Sequence, residues 1–307
     1  MGLVRRIIGL FFLILLIWGG YVAYAILSSP PQLKASWGKV NDTVTEIVIS
    51  GKLNRPLLVP FDVREVAVNF TGVEVAKVLE FNYSPTKPNF TVVVGINNYR
   101  LVDAFVNYMN NGQRGTALIY FRGDLFKVIP IKFNIKQTIQ EDILDQMNFT
   151  VDSKPLLGGL VSTPAIVGTK FVWNGTEKDY GVITAYMRFY NPNSIPLPIG
   201  NVSFDIYVNG IKLGRGYTEK TIIIPAKGYA TLPVETLIDL KAVPRVWALH
   251  VRNGERSNVK VDVYLTVGVS GRTVNVRLLS QNVVVKTSIM EQINQALQQA
   301  VKELPGG

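Results

Sequence analysis

The 307-residue sequence contains no cysteine. Disulfide bridges, thiolate chemistry and cysteine-based zinc sites are therefore excluded. Histidine occurs once, at His250. Three-histidine zinc sites are excluded too, and any Ser-His-Asp arrangement would have to use that one residue. His250 falls in a predicted helix beside Trp247, a setting that favours a packed structural ring. There is no Gly-x-x-x-x-Gly-Lys and no dinucleotide fingerprint. Gly268-Val269-Ser270-Gly271 lacks the spacing of a nucleophile elbow. Glu141 and Asp142 are adjacent and read as a solvated turn, not a catalytic pair. The chain accordingly reads as non-enzymatic, with no catalytic residue, cofactor or metal expected.

Acidic residues are also in short supply. Thirty-two Lys and Arg face 22 Asp and Glu, a net charge of +10. The basic residues are scattered, and none forms a run interleaved with aromatics, so a nucleic-acid partner is not expected. Polar composition is not the cause of that scatter. Apolar residues make up 48% of the chain, which argues for packed domains and against disorder.

One stretch is wholly apolar. Residues 7–27 carry no charge, and 21 residues at ~1.5 Å rise reach across ~30 Å of hydrocarbon. Arg5 and Arg6 precede the run on a six-residue tail, which favours a cytoplasmic N-terminus with the remainder outside. Trp18, Tyr21 and Tyr24 suit the interface, and Pro30-Pro31 ends the helix. The run reads as a single-pass membrane anchor. A cleavable signal peptide is the other reading, since Ala23-Tyr24-Ala25 fits a small-x-small site. Both put residues 32–307 on the extracytoplasmic side of the cell membrane. Asn-x-Ser/Thr sequons at Asn41, Asn69, Asn89, Asn148, Asn174 and Asn201 mark candidate N-glycosylation sites. A seventh, at Asn82, is followed closely by Pro85.

The remainder repeats. Lys136 to Ile143 matches Lys286 to Ile293, and Asn111-Gly112-Gln113-Arg114 matches Asn253-Gly254-Glu255-Arg256. Pro56 to Val59 matches Pro196 to Ile199, and Val66, Val68, Phe70 and Gly72 match Phe204, Ile206, Val208 and Gly210. The order is constant and the offset stays near 140–150 residues, which identifies two copies of one unit. Val202, Phe204, Ile206 and Val208 alternate with polar neighbours, as do Val261 to Val267 and Ile183 to Phe189. Period two with one apolar face predicts half-buried antiparallel strands. Each copy also predicts one short helix. The first carries Leu101, Ala104, Phe105 and Tyr108 on its packed face; the second carries Val243, Trp247 and Val251 before the stop at Asn253-Gly254. The expected layout is all-β with minor α: a first sandwich over 32–146, a linker over 147–164, a second sandwich over 165–290, and a C-terminal helix and tail over 291–307.

The second copy carries a recognisable motif. Tyr190-Asn191-Pro192-Asn193-Ser194-Ile195 leads into Val202-Ser203-Phe204-Asp205-Ile206-Tyr207-Val208-Asn209-Gly210. This resembles the water-stress-and-hypersensitive-response (WHy) domain of group-2 late embryogenesis abundant proteins. The first copy departs from it, with Lys52-Leu53-Asn54-Arg55-Pro56 where the Asn-Pro-Asn segment should stand. The resemblance implies a fibronectin- or immunoglobulin-like β-sandwich of seven strands with one helix for the second copy, and the repeat extends it to the first, giving two such modules. It also implies a link to desiccation or stress protection, with no catalytic residues to carry over. Independently of any family, Asn191, Pro192 and Asn193 suit a tight turn at a strand break.

The tail places Ile289, Ile293, Ala296, Leu297, Ala300 and Leu304 at helical spacing. This amphipathic helix either docks on its own sandwich or mediates self-association. Three readings of function follow: a protective or envelope-stabilising module, an interaction or adhesion subunit with an envelope protein or glycan partner, and an apolar-ligand or lipid-binding module.

Overall fold

The computed structural model describes residues 32–302, apart from 141, 143, 146, 147, 219, 270 and 271. The expected tail 1–6, the apolar run 7–27 and Leu304 lie outside the described residues. Among the described residues no helix is long and apolar enough to cross a membrane.

The first unit comprises β1 (Gln32–Val40), β2 (Val44–Lys52), β3 (Phe61–Phe70), β4 (Val73–Tyr83), β5 (Asn89–Asn97), α1 (Asn98–Asn110), β6 (Arg114–Leu125) and β7 (Ile129–Gln140). Its strands pair in the order β1-β2-β5-β4-β3-β6-β7. A short hairpin of β8 (Pro155–Leu156) and β9 (Val161–Ser162) intervenes. The second unit comprises β10 (Ala165–Glu177), β11 (Tyr180–Tyr190), β12 (Leu197–Val208), β13 (Ile211–Thr218), β14 (Ile222–Ile224), β15 (Tyr229–Asp239), α2 (Val243–Arg252), β16 (Arg256–Val269) and β17 (Arg272–Lys286). Its order is β10-β11-β15-β13-β12-β16-β17, with β14 added on β12. Strand for strand this is the same path, with the helix in the same place. The sequence repeat is therefore a repeat of topology. Each path is one continuous hydrogen-bonded sheet rather than two separate ones. It folds over so that residues of β11, β12, β15, β16 and β17 share one core.

Alternation explains that core. Ala185, Met187 and Phe189 of β11 point inward and are essentially unexposed. On β12 the inward set is Leu197 and Ile199, then Val202 and Phe204, a change of parity. A bulge between Gly200 and Val202 supplies the extra residue. Phe204 lies so close over Gly216 of the neighbouring β13 that a Cβ there would collide with its ring. In α1 the buried residues are Asn98, Val102, Ala104, Tyr108 and Met109. Phe105 was expected among them but is 36% exposed, because the packed stripe is rotated toward Met109.

The segment 147–164 holds the β8–β9 hairpin and packs onto the second unit. Val151 pairs with Ile166 and is buried in the second core, with Phe149 against it. The tail helix α3 (Ile289–Lys302) docks, but on the other unit. Asn294 spans Ala35 of β1, its Oδ1 accepting from Ala35 N at 2.7 Å and its Nδ2 donating to Ala35 O at 3.1 Å. Gln298 Nε2 donates to Leu33 O at 2.8 Å. These amides cap the open backbone of an edge strand, a common way of protecting such an edge.

Candidate functional site

The Asn191–Asn193 turn is built entirely from internal hydrogen bonds. Asn191 is fully buried. Its Nδ2 donates to Ile195 O at 2.8 Å, Pro225 O at 3.1 Å and Ile224 O at 3.2 Å. Its Oδ1 accepts from Asn193 N at 2.9 Å and Asn193 Nδ2 at 2.8 Å. Asn193 in turn brackets Ser162 of β9, accepting from its amide at 2.7 Å and donating to its carbonyl at 2.8 Å. Lys227 Nζ donates to Pro192 O at 2.5 Å. Pro192 presets the turn, and the two asparagines tie three chain segments together. The geometry is that of a clasp, with its polar groups directed into the protein.

Residues 186–281 match the family model described as Late embryogenesis abundant protein. No curated protein matches the chain. Among solved structures it is similar to a protein from Archaeoglobus fulgidus, at 18% identity and a TM-score of 0.34, over 39% of this chain and 95% of that one. It is also similar to an Arabidopsis thaliana protein at 16% identity and a TM-score of 0.27, over 41% and 85% of the two chains. A further solution structure, described as a late embryogenesis abundant (LEA) protein, is 14% identical with a TM-score of 0.25, over 48% and 75%. The late embryogenesis abundant match runs from within β11 to within β17, so it includes the clasp. The first unit falls outside it and is tied to the second by shared topology.

A second cluster lies where the two units meet, and it contains all three described tryptophans. Trp37 of β1 meets Trp247 of α2 edge to face, with centroids 6.2 Å apart. Trp247 Nε1 donates to Thr45 Oγ1 at 3.0 Å, and the Thr45 hydroxyl donates to Asn98 Oδ1 at 2.9 Å. Trp173 Nε1 donates to Asn110 Oδ1 at 2.7 Å. Beneath them Tyr108, Met109, Leu144 and Ile183 form a buried apolar joint.

Glu255 links the second unit to Trp37 of the first and to the start of α3. It is 7% exposed, and its carboxylate accepts four hydrogen bonds. Oε1 takes Met290 N at 2.9 Å and Trp37 Nε1 at 3.0 Å; Oε2 takes Ile289 N at 2.6 Å and Thr287 Oγ1 at 3.1 Å. One side chain thus caps the first turn of α3 and grips the first unit. Burial pushes the Glu255 carboxyl up, but the bonds from Met290, Trp37, Ile289 and Thr287 outweigh it and hold the group below its ordinary 4.5. Gln113, its counterpart in the first unit, performs a smaller version of the task, accepting from Leu144 N at 3.1 Å and donating to Asp142 at 2.8 Å.

His250 belongs to the same network. Thr287 donates to a carboxylate, so its oxygen must accept from His250 Nε2 at 2.9 Å. Nδ1 then accepts from Ser257 Oγ at 2.8 Å, and Ser257 accepts from Asn209 Nδ2 at 3.2 Å. This fixes one neutral tautomer with both nitrogens occupied. Burial depresses the imidazole below its ordinary 6.5, the negative Glu255 opposing. Ser257 is buried beneath Asn209, so the Ser–His contact braces a hairpin and does not present a nucleophile. Asp142 is exposed and caps a turn, its carboxyl lowered first by the amide of Asp145 and then by Gln113. Glu141 and Ser270 lie outside the described residues.

The outer face of the second sheet carries an open cleft of about 530 Å³. Cross-strand pairing aligns Tyr217, Ser203 and Tyr264 on β13, β12 and β16. Both tyrosines are more than 40% exposed, and the small Ser203 forms the floor between them. Lys212 pairs with Asp205 at 2.7 Å at one end, beside Arg215. Of the sequon residues, Asn41, Asn89, Asn148, Asn174 and Asn201 are exposed and Asn69 is half-buried. Asn174 spends its Nδ2 on Thr184 Oγ1 at 2.6 Å. Reading the repeat located the Asn-Gly turn before Glu255 but not the carboxylate's partners, because Trp37 is more than two hundred residues away in sequence.

Proposed function

We propose that this is a non-enzymatic, single-pass extracytoplasmic protein that protects or stabilises a cell envelope by binding and bracing. The observation that carries the reading is the joint. Two sandwich-like units are fastened through Trp37, Trp247, Glu255 and α3, so the tandem forms one strut. The clasp lies at the Tyr229 end of β15, and the joint lies at the Asp239 end. Eleven residues at ~3.3 Å each separate them by about 35 Å. With the apolar run 7–27 in the bilayer and the N-terminus cytoplasmic, the clasp end stands well clear of the lipid. The late embryogenesis abundant match over residues 186–281 supports a stress-related role. The occupied nitrogens of His250 support a structural use of the single histidine. The test is retention of a trapped dye by vesicles carrying the full chain through drying and rehydration. Retention equal to that of protein-free vesicles would remove the protective reading.

The cleft between Tyr217 and Tyr264 favours a second reading, an adhesion or assembly subunit with a glycan or envelope protein as partner. Exposed tyrosines flanking small polar residues are suited to stacking on sugar rings. Glycan-array binding lost on Tyr264→Ala would favour it. The second core is filled by its own side chains, Phe189, Ile199 and Leu265 among them, and this gives the apolar-ligand reading no support there.

A further inference from the structure

We propose that the end of the first unit nearest the anchor rests on the lipid surface, with the hairpin Phe126–Ile129 inserted at headgroup depth and a basic rim set against anionic phosphates. The inference rests on the reading of residues 7–27 as a membrane span. It adds to that reading a second, peripheral contact made by the folded unit itself.

Strand register places the contact. Gln32 opens β1 opposite Lys52, and Lys52 lies opposite Asn89. Phe90 lies opposite Tyr83, whose ring meets Phe61 at 6.4 Å. Phe61 pairs with Leu125, and Leu125 pairs with Ile129. Gln32, the loop 53–60 and the 126–128 turn are therefore all at one end of the unit. The apolar run ends at Leu27, and four residues separate it from Gln32. Five Cα-to-Cα steps span at most ~18 Å, so this end cannot stand far from the bilayer whatever the tilt of the strut.

The chemistry of that end is unusual for a solvated surface. Val128 is 77% exposed, Ile129 53% and Leu58 44%. Phe126 and Lys127 both have left-handed backbone, φ +56° and +59°. Glycine or asparagine would adopt that conformation more cheaply, and bulky residues rarely occupy it. Behind the tip Phe61, Phe81, Tyr83 and Phe121 form a cluster of contacting rings. Lys52, Lys87 and Lys127 are exposed around it, and Lys34 lines a groove of about 730 Å³ between α3 and β1. Arg64 is paired with Asp124 and adds nothing to the rim. Apolar side chains at a turn, ringed by lysines, match an interface of acyl chains beneath anionic headgroups.

The absence of native cysteine makes the test direct. Full-length chains carrying Val128→Cys, or Ile223→Cys at the far end of the second unit, are labelled with an environment-sensitive dye and reconstituted into vesicles of phosphatidylcholine and phosphatidylglycerol. Both positions are exposed, 77% and 65%, so labelling leaves the folds intact. The expected result is a blue-shifted emission at position 128, quenched by headgroup nitroxide about twofold or more beyond that at position 223. Chains that float with the vesicles but give equal emission at both positions would overturn the surface contact and leave the anchor standing. Chains that do not float would overturn both.

Discussion

Replacing Glu255 with alanine leaves four donors without their acceptor: Trp37 Nε1, Thr287 Oγ1, and the Ile289 and Met290 amides. The two amides lose an N-terminal cap, which costs about 1 kcal/mol. Leaving buried donors unpaired costs about 1–3 kcal/mol more. The effects share one carboxylate and do not add fully, so the expected loss is about 3 kcal/mol. At about 2–4 °C per kcal/mol for a chain of this size, the melting temperature should fall by about 6–12 °C. Gln113→Ala supplies the internal control. It removes the bonds to the Leu144 amide and Asp142 in the first unit and should cost about 1 kcal/mol. Glu255→Gln should fall between the two, because one amide oxygen can still serve the helix while its NH₂ faces the Trp37 donor. The assays are thermal melting, Trp37 fluorescence and amide exchange at Ile289 and Met290. A Glu255→Ala chain that melts no lower than Gln113→Ala, with both amides still protected, would refute the argument.

Asn191→Ala strips a fully buried side chain of bonds to Ile195, Pro225 and Asn193 and should cost about 2–4 kcal/mol, read by denaturant titration; a loss under about 0.5 kcal/mol would show that the clasp contributes little. Gly216→Ala sets a methyl against the Phe204 ring and should cost about 1–3 kcal/mol, partly restored by Phe204→Leu on the same background. Stability should fall on acidification in two stages. Below the ordinary 6.5 of histidine the unfolded chain takes up a proton that buried His250 resists; below the ordinary 4.5 of glutamate the same holds for Glu255, until its folded pKa is passed. A His250→Gln chain should lose the first stage and keep the second, as measured by melting from pH 8 to pH 4; an unchanged first stage would assign it elsewhere.

The strands of the second unit were legible because one face of each is dry. Ile183 to Phe189 and Val202 to Val208 carry the period of two that their burial demands. The shared path of the two units was legible as a constant order of matching segments at similar offsets. The clasp was legible as a turn, since Asn-Pro-Asn at a strand break has few other uses. What alternation cannot register is which surface a helix chooses. The tail α3 has an apolar stripe that suits its own sandwich, yet it docks on β1 because Asn294 and Gln298 can satisfy an edge there. The glycines and prolines of 147–164 suggested a loose connection. Val151 and Phe149, by entering the second core, and Ser162, gripped by Asn193, make it part of the fold. Phe105 was misplaced because the stripe of a three-turn helix is wide enough to admit either rotation.

The central claim is that the two units act as one strut, and distance measurement between paired spin labels tests it most directly. Cysteines introduced at the exposed positions Lys77 and Glu235 place one label on each unit of a chain with no native thiol. The account predicts a single narrow distance distribution in the intact chain, broadening when residues 289–307 are deleted or Glu255 is replaced by alanine. A broad distribution in the intact chain, unchanged by either alteration, would contradict it.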